Sequence, residues 1–373
     1  MFLIKKPTVL VGMSGGVDSS VAAALLKKRG FRVIGGFIRN WSDSTDPWTG
    51  ECAWKQERRD AMRVAARLDI PLETFDFEKQ YRERVVDEMV RGYAEGRTPN
   101  PDVLCNEAIK FGLFADAAKD LGASYVATGH YARVRHGWTG RARLFRGADP
   151  DKDQSYFLYR VPQEALRRTL FPIGDMRKVE VRRLATRFGL PVDAKPDSQG
   201  ICFIGKLDIG EFLKTRLDMT PGDIVDDAGT VVGTHEGLAR YTVGQRHGMR
   251  QPGGPPWYVA AKDTVTNLLL VVNRDDHPLL YSTDIAVTDL RWTRGVAPTG
   301  PLDVEVQVRY RQDPVSATLS TGEDSSTVNV HFLRPVKAVA PGQSAVFYRK
   351  DECLGGGVLA NDRLLGYTLA DEN

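Results

Sequence analysis

Cysteine is scarce: the 373 residues contain four, Cys52, Cys105, Cys202 and Cys353, far apart in the chain. No CxxC pair occurs and no Cys/His spacing fits a zinc finger, which excludes a disulfide scaffold and a local structural zinc site. No apolar run approaches the roughly 20 residues of a membrane-spanning helix. The opening Met1 to Pro7 leads into a strand-like segment without the layout of a signal peptide. A cytoplasmic protein with no membrane partner is expected. One-sided charge is also lacking, with 51 basic against 48 acidic residues, a net charge of +3. What is present is ordinary for a globular chain, 42% hydrophobic and 27% charged, long enough for two or three domains.

The charge is unevenly placed. Residues 1–200 hold 34 basic and 26 acidic side chains, and residues 201–373 hold 17 and 22. Within 131–190 there are 14 basic and 6 acidic residues, and 12 of the 14 are arginine, the side chain suited to bidentate phosphate contact. Such a span is either a solvated surface or the docking face for a polyanion.

Up to about residue 200, short β-branched runs alternate with helical patterns. Strands are expected at 8–11, 32–38, 72–76 and 125–129, and helices at 19–29, 57–68, 81–93 and 109–121. This alternation predicts a parallel sheet with helices on both faces, and ligands beyond the carboxyl ends of its strands. Past about residue 205, Gly and Pro recur and β runs dominate. The fold class is therefore α/β. A Rossmann-like domain (1–205) precedes a small β-rich domain (206–278) and a C-terminal β-barrel-like domain (279–373).

The most informative segment is Val9-Leu10-Val11-Gly12-Met13-Ser14-Gly15-Gly16-Val17-Asp18-Ser19-Ser20. A strand ends, a Ser/Gly turn follows and a helix begins. Glycines let the backbone approach an anion while hydroxyls and the helix start supply donors. It is neither a Walker loop, since the Lys of GxxxxGK[ST] is missing, nor GxGxxG. Asp18 suits a Mg²⁺-related ligand or a loop-bracing cap. A rigid Thr98-Pro99-Asn100-Pro101-Asp102-Val103-Leu104-Cys105 turn brings Asp102 near Cys105, and a second cysteine lies in Lys195-Pro196-Asp197-Ser198-Gln199-Gly200-Ile201-Cys202. Both thiols are expected in loops. Cys353 reads as packing; Cys52 packs or lies near a nucleotide entrance.

The SGGVDSS string resembles the PP-loop of the N-type ATP pyrophosphatases, which split ATP between the α and β phosphates. Together with TPNPDVLCN, ATGHYAR, KDQSYFL, GICFIG, YTVGQRHG, RYRQ, PGQSAVFY and CLGGG, it makes the chain similar to the bacterial tRNA-specific 2-thiouridylase family from residue 12 to residue 357. The resemblance implies ATP and Mg²⁺ as cofactors. It implies nucleotide contacts by Gly12, Met13, Ser14, Gly15, Gly16, Val17, Asp18 and Ser19, with Ile38 and Gly129 also near ATP; Ile38 stands where the family usually has Met. It further implies a persulfide on Cys202, resolved by Cys105 through a disulfide formed at each turnover. Asp102 would act as an acid/base group or orient Cys105. Asn100, Pro101 and Asp102 would meet the target base. His130, Lys152, Asp153, Gln154, Arg309, Tyr310 and Gln343 would touch tRNA along its anticodon arm. His247 replaces the commoner Lys of GQRKG, which weakens an RNA role for that turn. The implied partners are tRNA and a cysteine desulfurase or sulfur-relay protein.

The chemistry suits the residues. The C2 carbonyl of uracil is a poor electrophile, adenylation of its oxygen creates a leaving group, and a persulfide is a competent sulfur nucleophile. No resident metal site is expected from the sequence, and without a CxxC the sequence offers no case for an iron–sulfur cluster. Two rival classes use the same loop: a small-molecule adenylating ligase of the argininosuccinate or GMP-synthetase type, and a silent RNA-binding protein. The paired cysteine segments oppose the first, and the intact Ser14, Gly15, Gly16, Asp18 and Ser19 oppose the second.

Overall fold

The structure, a computed structural model, describes residues 6–42, 52–137, 140–197, 209–246, 256–322 and 326–360. Cys202 and His247 lie outside the described residues.

Strands β1 (Thr8–Gly12), β2 (Arg32–Arg39), β3 (Leu72–Asp76), β4 (Tyr125–Ala127), β5 (Ala132–His136), β6 (Ala142–Arg146) and β7 (Thr169–Leu170) fall in the first 170 residues. Five of them form a parallel sheet in the order β3-β2-β1-β4-β7. β1 is an unbroken apolar run because both its faces are covered: Val9, Leu10 and Val11 are fully buried. Helix Val17–Lys28 lays Val21, Ala22 and Leu26 on one face, and Phe114 and Ala118 of the helix Phe114–Asp120 cover the other. The order of connection reverses between β1 and β4. The crevice beyond Gly12 and Ala127 is therefore the topological switch point, the place where such sheets hold ligands.

The second unit is a four-stranded sheet, β10-β11-β8-β9, from β8 (Gly222–Val225), β9 (Val231–His235), β10 (Tyr258–Asp263) and β11 (Leu268–Val272). The third contains β12 (Tyr281–Trp292), β13 (Leu302–Gln307), β14 (Val315–Thr321), β15 (Val328–Lys337), β16 (Ser344–Arg349) and β17 (Glu352–Leu359). Pairing runs β12-β15-β14-β13-β16-β17 and returns from β17 to β12, closing a six-stranded antiparallel barrel. Alternation fills it: Val304, Val306, Ala317, Leu319, Val328, Val330 and Phe332 point inward.

Two details depart from the sequence reading. The β5–β6 hairpin, within the span read as the first domain, extends the barrel sheet: Phe145 pairs with Glu352 and Leu144 with Cys353. Cys105 is not in a loop. It ends the helix Pro101–Cys105, which continues through a π-helical stretch, Asn106–Leu113, into Phe114–Asp120. Among the described residues, no helix is long and apolar enough to cross a membrane.

Candidate functional site

The loop after β1 presents its polar atoms outward and anchors its apolar side chains inward. Met13 and Val17 are buried in the sheet–helix core, and the Met13 amide donates to Gly36 O at 2.8 Å. Ser14 is exposed, and its hydroxyl lies 3.2 Å from the Ser19 hydroxyl, which donates to Gly16 O. Gly15 sits at φ +72°, and a Cβ there would meet Glu57 O at 2.3 Å, so only glycine allows the turn. Gly16 caps the helix without a side-chain bond, leaving the first amides of Val17–Lys28 for an outside acceptor. Gly129, past β4, allows the closest approach: a Cβ would lie 2.5 Å from Ser19 N and 2.7 Å from Asp18 C. Its place is thus against the backbone of the helix start, one layer behind the loop.

Asp18 is not a cap; it lies in a charge network. The Tyr131 hydroxyl donates to Oδ1 at 2.9 Å, and Lys178 Nζ donates to Oδ1 and Oδ2 at 2.7 and 2.8 Å. Lys178 also reaches Asp197 at 2.8 Å, and Asp197 receives Lys152 and Arg182 as well. Burial alone would raise the Asp197 carboxyl, but hydrogen bonds from Lys152 and Lys178 hold it at about 2. Behind the loop, Lys195 Nζ donates to Gly15 O at 3.2 Å and to Asp60 at 2.8 Å. Burial pushes the Glu57 carboxyl up, against the pull of Lys195. Tyr131, Lys178, Lys195 and Asp197 were not singled out from sequence. Tyr131 lies in the ATGHYAR string and Lys195 and Asp197 lie in the second cysteine segment, while Lys178 opens a helix with no such signal.

The other half of the site is the Asn100–Cys105 segment. The Asn100 side chain accepts from Val103 N at 3.3 Å and Pro101 occupies the first helical turn, so the segment is a capped helix start. Asp102 and Cys105, three apart, share a helix face. Cys105 is fully buried, in a cluster with Trp41, Tyr81, Met89 and Ile109, against which Ile38 packs from the end of β2. All three units meet at Thr98. Its amide donates to Pro341 O at 2.7 Å, Gln343 Nε2 donates to its carbonyl at 2.9 Å, and its hydroxyl reaches that of Thr242 at 3.4 Å.

The residues that the family resemblance assigns to tRNA are largely engaged inside the protein. His130 is buried against Phe111 and Phe171, with Nδ1 2.7 Å from the Thr128 hydroxyl, and burial followed by the Lys110 charge holds its pKa well below the usual value. Asp153 accepts from the amides of Gly147 and Ser155, and Gln154 Oε1 accepts from Tyr131 N at 3.0 Å. Arg309 donates to Val243 O; Tyr310 packs on Phe157 with centroids 4.4 Å apart. Gln343 is the brace of Thr98 just described. Lys152 pairs with Asp197 and is one-third exposed.

Fold and loop together define a nucleotide-handling α/β enzyme carrying two β domains. The comparisons refine that class. Three family models match in order: a tRNA methyl transferase HUP domain over residues 7–206, a PRC-barrel domain over 210–273 and an aminomethyltransferase β-barrel domain over 282–359. A tRNA-specific 2-thiouridylase MnmA of Nitrosomonas eutropha is 47% identical, covering 96% of this chain and 99% of that protein. One of Methylococcus capsulatus is 48% identical, covering 95% and 96%. One of Lacticaseibacillus paracasei is 45% identical over 94% and 93%. The chain belongs to the tRNA-specific 2-thiouridylase family.

Proposed function

We propose that the protein converts the wobble uridine of tRNAs for Lys, Glu and Gln to 2-thiouridine at the expense of ATP, in the cytoplasm. The observation that carries this reading is one shared edge. The phosphate loop and the cluster around Cys105, into which Ile38 reaches, both lie at the carboxyl end of the parallel sheet.

In the first step uridine O2 attacks the α phosphorus; an O2–P bond forms and pyrophosphate leaves. The loop amides, Ser14 and Ser19 hold the departing phosphates, and Lys178 stands close enough to neutralise them. Asp18, one-third exposed beside the loop, suits a magnesium ion, which is usually bound by one or two carboxylates plus phosphates. Such an ion, when bound, supplies charge neutralisation of the pyrophosphate. In the second step the terminal sulfur of a Cys202 persulfide attacks C2, and the C2–O2 bond breaks as AMP leaves. The Cys105 thiolate then attacks Sγ of Cys202, forming a disulfide and freeing the thiolated base. An external dithiol reduces the disulfide, and a desulfurase or relay protein reloads the persulfide. Asp102, on the face of Cys105, takes the thiol proton or orients that side chain.

The tRNA reading assigns Asn100, Pro101 and Asp102 to the base and Lys152 to the backbone, with Asp153, Gln154, Arg309, Tyr310 and Gln343 shaping the surface. His130 supports its strand end from within.

The test is thiolation of tRNA transcripts with ATP, Mg²⁺ and a persulfide-generating desulfurase, read by nucleoside and intact-protein mass spectrometry. Cys202→Ser should carry no transferable sulfur; Cys105→Ser should load Cys202 and stall. Normal 2-thiouridine from Cys202→Ser would overturn the assignment, and a persulfide on Cys105 would reverse the two roles.

A further inference from the structure

β2 is followed by two residues that the reaction scheme above does not use, Asn40 and Trp41. Both are buried, at 1% and 2% exposure. Among the described residues, neither the Nδ2 nor the Oδ1 of Asn40 has a hydrogen-bond partner, and the same holds for Nε1 of Trp41 and of Trp54. Unpartnered buried carboxamides are costly and uncommon in native interiors, so two vacant ends on one side chain call for a ligand. The location is apt. The residues lie just beyond the carboxyl end of the strand, Asn40 two positions past Ile38, which packs against the Cys105 cluster. Trp41 packs in the Cys105 cluster, edge-on to Tyr81 and Phe212, and the Arg82 guanidinium lies 4.7 Å from its ring.

We propose that the Asn40 carboxamide reads the Watson–Crick edge of the target uracil, accepting from N3–H through Oδ1 and donating to O4 through Nδ2. This pairing is the one that leaves O2 and C2, the reacting atoms, free. It also rejects cytosine, whose N3 accepts and whose N4 donates, reversing both bonds. Asn40 is thus a specificity-determining residue for the function proposed above and rests on that reading. Its neighbour Trp41 fixes the end of the strand through the packing just described.

The test compares anticodon-arm RNAs carrying uridine or pyrimidin-2-one at the target position. Pyrimidin-2-one keeps the C2 carbonyl but lacks N3–H and O4. The intact protein should prefer uridine by about 100-fold or more in kcat/KM, because a site built to hydrogen-bond a group rejects the analogue without it. In Asn40→Leu the preference should collapse to about threefold, with ATP affinity unchanged within about twofold. The thermal midpoint should be equal or higher, because an unpaired buried polar group has been removed. An unchanged preference overturns the proposal. So does a loss of ATP affinity, which would assign the carboxamide to adenine, or a fall of several degrees in midpoint, which would make it structural. Asn40→Ala supplies the same ratio if the Leu variant does not fold. Failure of the intact protein to thiolate uridine at all would count against the function itself, a result separable from the variant ratio.

Discussion

Two clusters of cations and carboxylates, both drawing on the arginine-rich span, have opposite characters. Around Asp18 and Asp197, the cations Lys152, Lys178 and Arg182 surround a phosphate loop whose serine and helix amides await an acceptor. At the barrel, Glu352 is clasped by Arg143 and Arg294, and Arg160 bridges Glu107 to Asp289. The second cluster binds the β5–β6 hairpin and the helix after Cys105 to the barrel. Its charges are used up within the fold. Cations that neutralise each other's partners at the loop can exchange them for phosphate, whereas arginines locked on a buried carboxylate cannot. Charge density along a sequence does not distinguish the two.

The largest effects should come from the first cluster. Ser14→Ala and Asp18→Ala should each lower tRNA-dependent pyrophosphate release by about 10²–10³-fold, the usual scale for one group serving a developing charge. tRNA affinity should hold. ATP consumption at the normal rate in either variant would remove the loop from the chemistry. Gly129→Ala should cost about 100-fold, because its Cβ must displace the Ser19 amide by a large fraction of an ångström. A fully active Gly129→Ala would mean that the helix start tolerates movement.

The second cluster should answer through stability. Glu352→Ala leaves two arginines without their carboxylate and should cost about 2 kcal/mol. That is below the roughly 3–5 kcal/mol of a fully buried pair, because Arg143 and Arg294 are nearly half exposed. Pyrophosphate release per folded molecule should be unchanged. A fall in activity without a fall in thermal midpoint would blur the distinction between the clusters.

The arginine-rich span divides evenly. Arg133, Arg143, Arg146, Arg160, Arg168 and Arg182 hold internal partners, while Arg135, Arg141, Arg167, Arg177, Arg183 and Arg187 are exposed. Neutralising Arg177, Arg183 and Arg187 together should flatten the salt dependence of tRNA binding by about two units of slope if each meets a phosphate, at roughly 0.7–0.9 per contact. Glu352→Ala should leave that slope alone. An unchanged slope in the triple variant would move the RNA elsewhere on the surface.

The parallel sheet was legible because its central strands are buried on both faces and so read as unbroken apolar runs, Val9-Leu10-Val11 above all. The loop was legible because its chemistry is local. The hairpin at 132–146 was not, since its partner Glu352 is about two hundred residues away and no local pattern marks a strand for a distant sheet. Cys105 was misplaced in a loop because the two prolines of Pro99-Asn100-Pro101 read equally as a turn or as the start of a capped helix. Lys178 escaped notice for a similar reason: it opens an ordinary helix, and only the tertiary fold carries it 160 residues back to Asp18.

The smallest effect tests whether His130 belongs with the groups that face ligand or with those enclosed by the fold. The ring is buried against Phe111 and Phe171, with the Thr128 hydroxyl on Nδ1, and both burial and the Lys110 charge disfavour its protonation. It is therefore neutral in the folded chain, while in the unfolded chain it titrates near pH ~6.5. Below that pH the unfolded state binds a proton that the folded state refuses. The contribution to stability is thus complete above about pH 6.5 and is lost as the pH falls toward the depressed folded pKa, with a limiting slope of about 1.4 kcal/mol per pH unit. His130→Asn keeps a polar atom near the Thr128 hydroxyl and removes the titration. Its stability at pH 7.5 should be lower than that of the parent, but the fall between pH 6.5 and 5 should be shallower by one proton. Denaturant unfolding at a series of pH values reads this difference directly. Parallel curves for the two proteins would mean that the imidazole already protonates in place, returning His130 to the groups that can meet a phosphate.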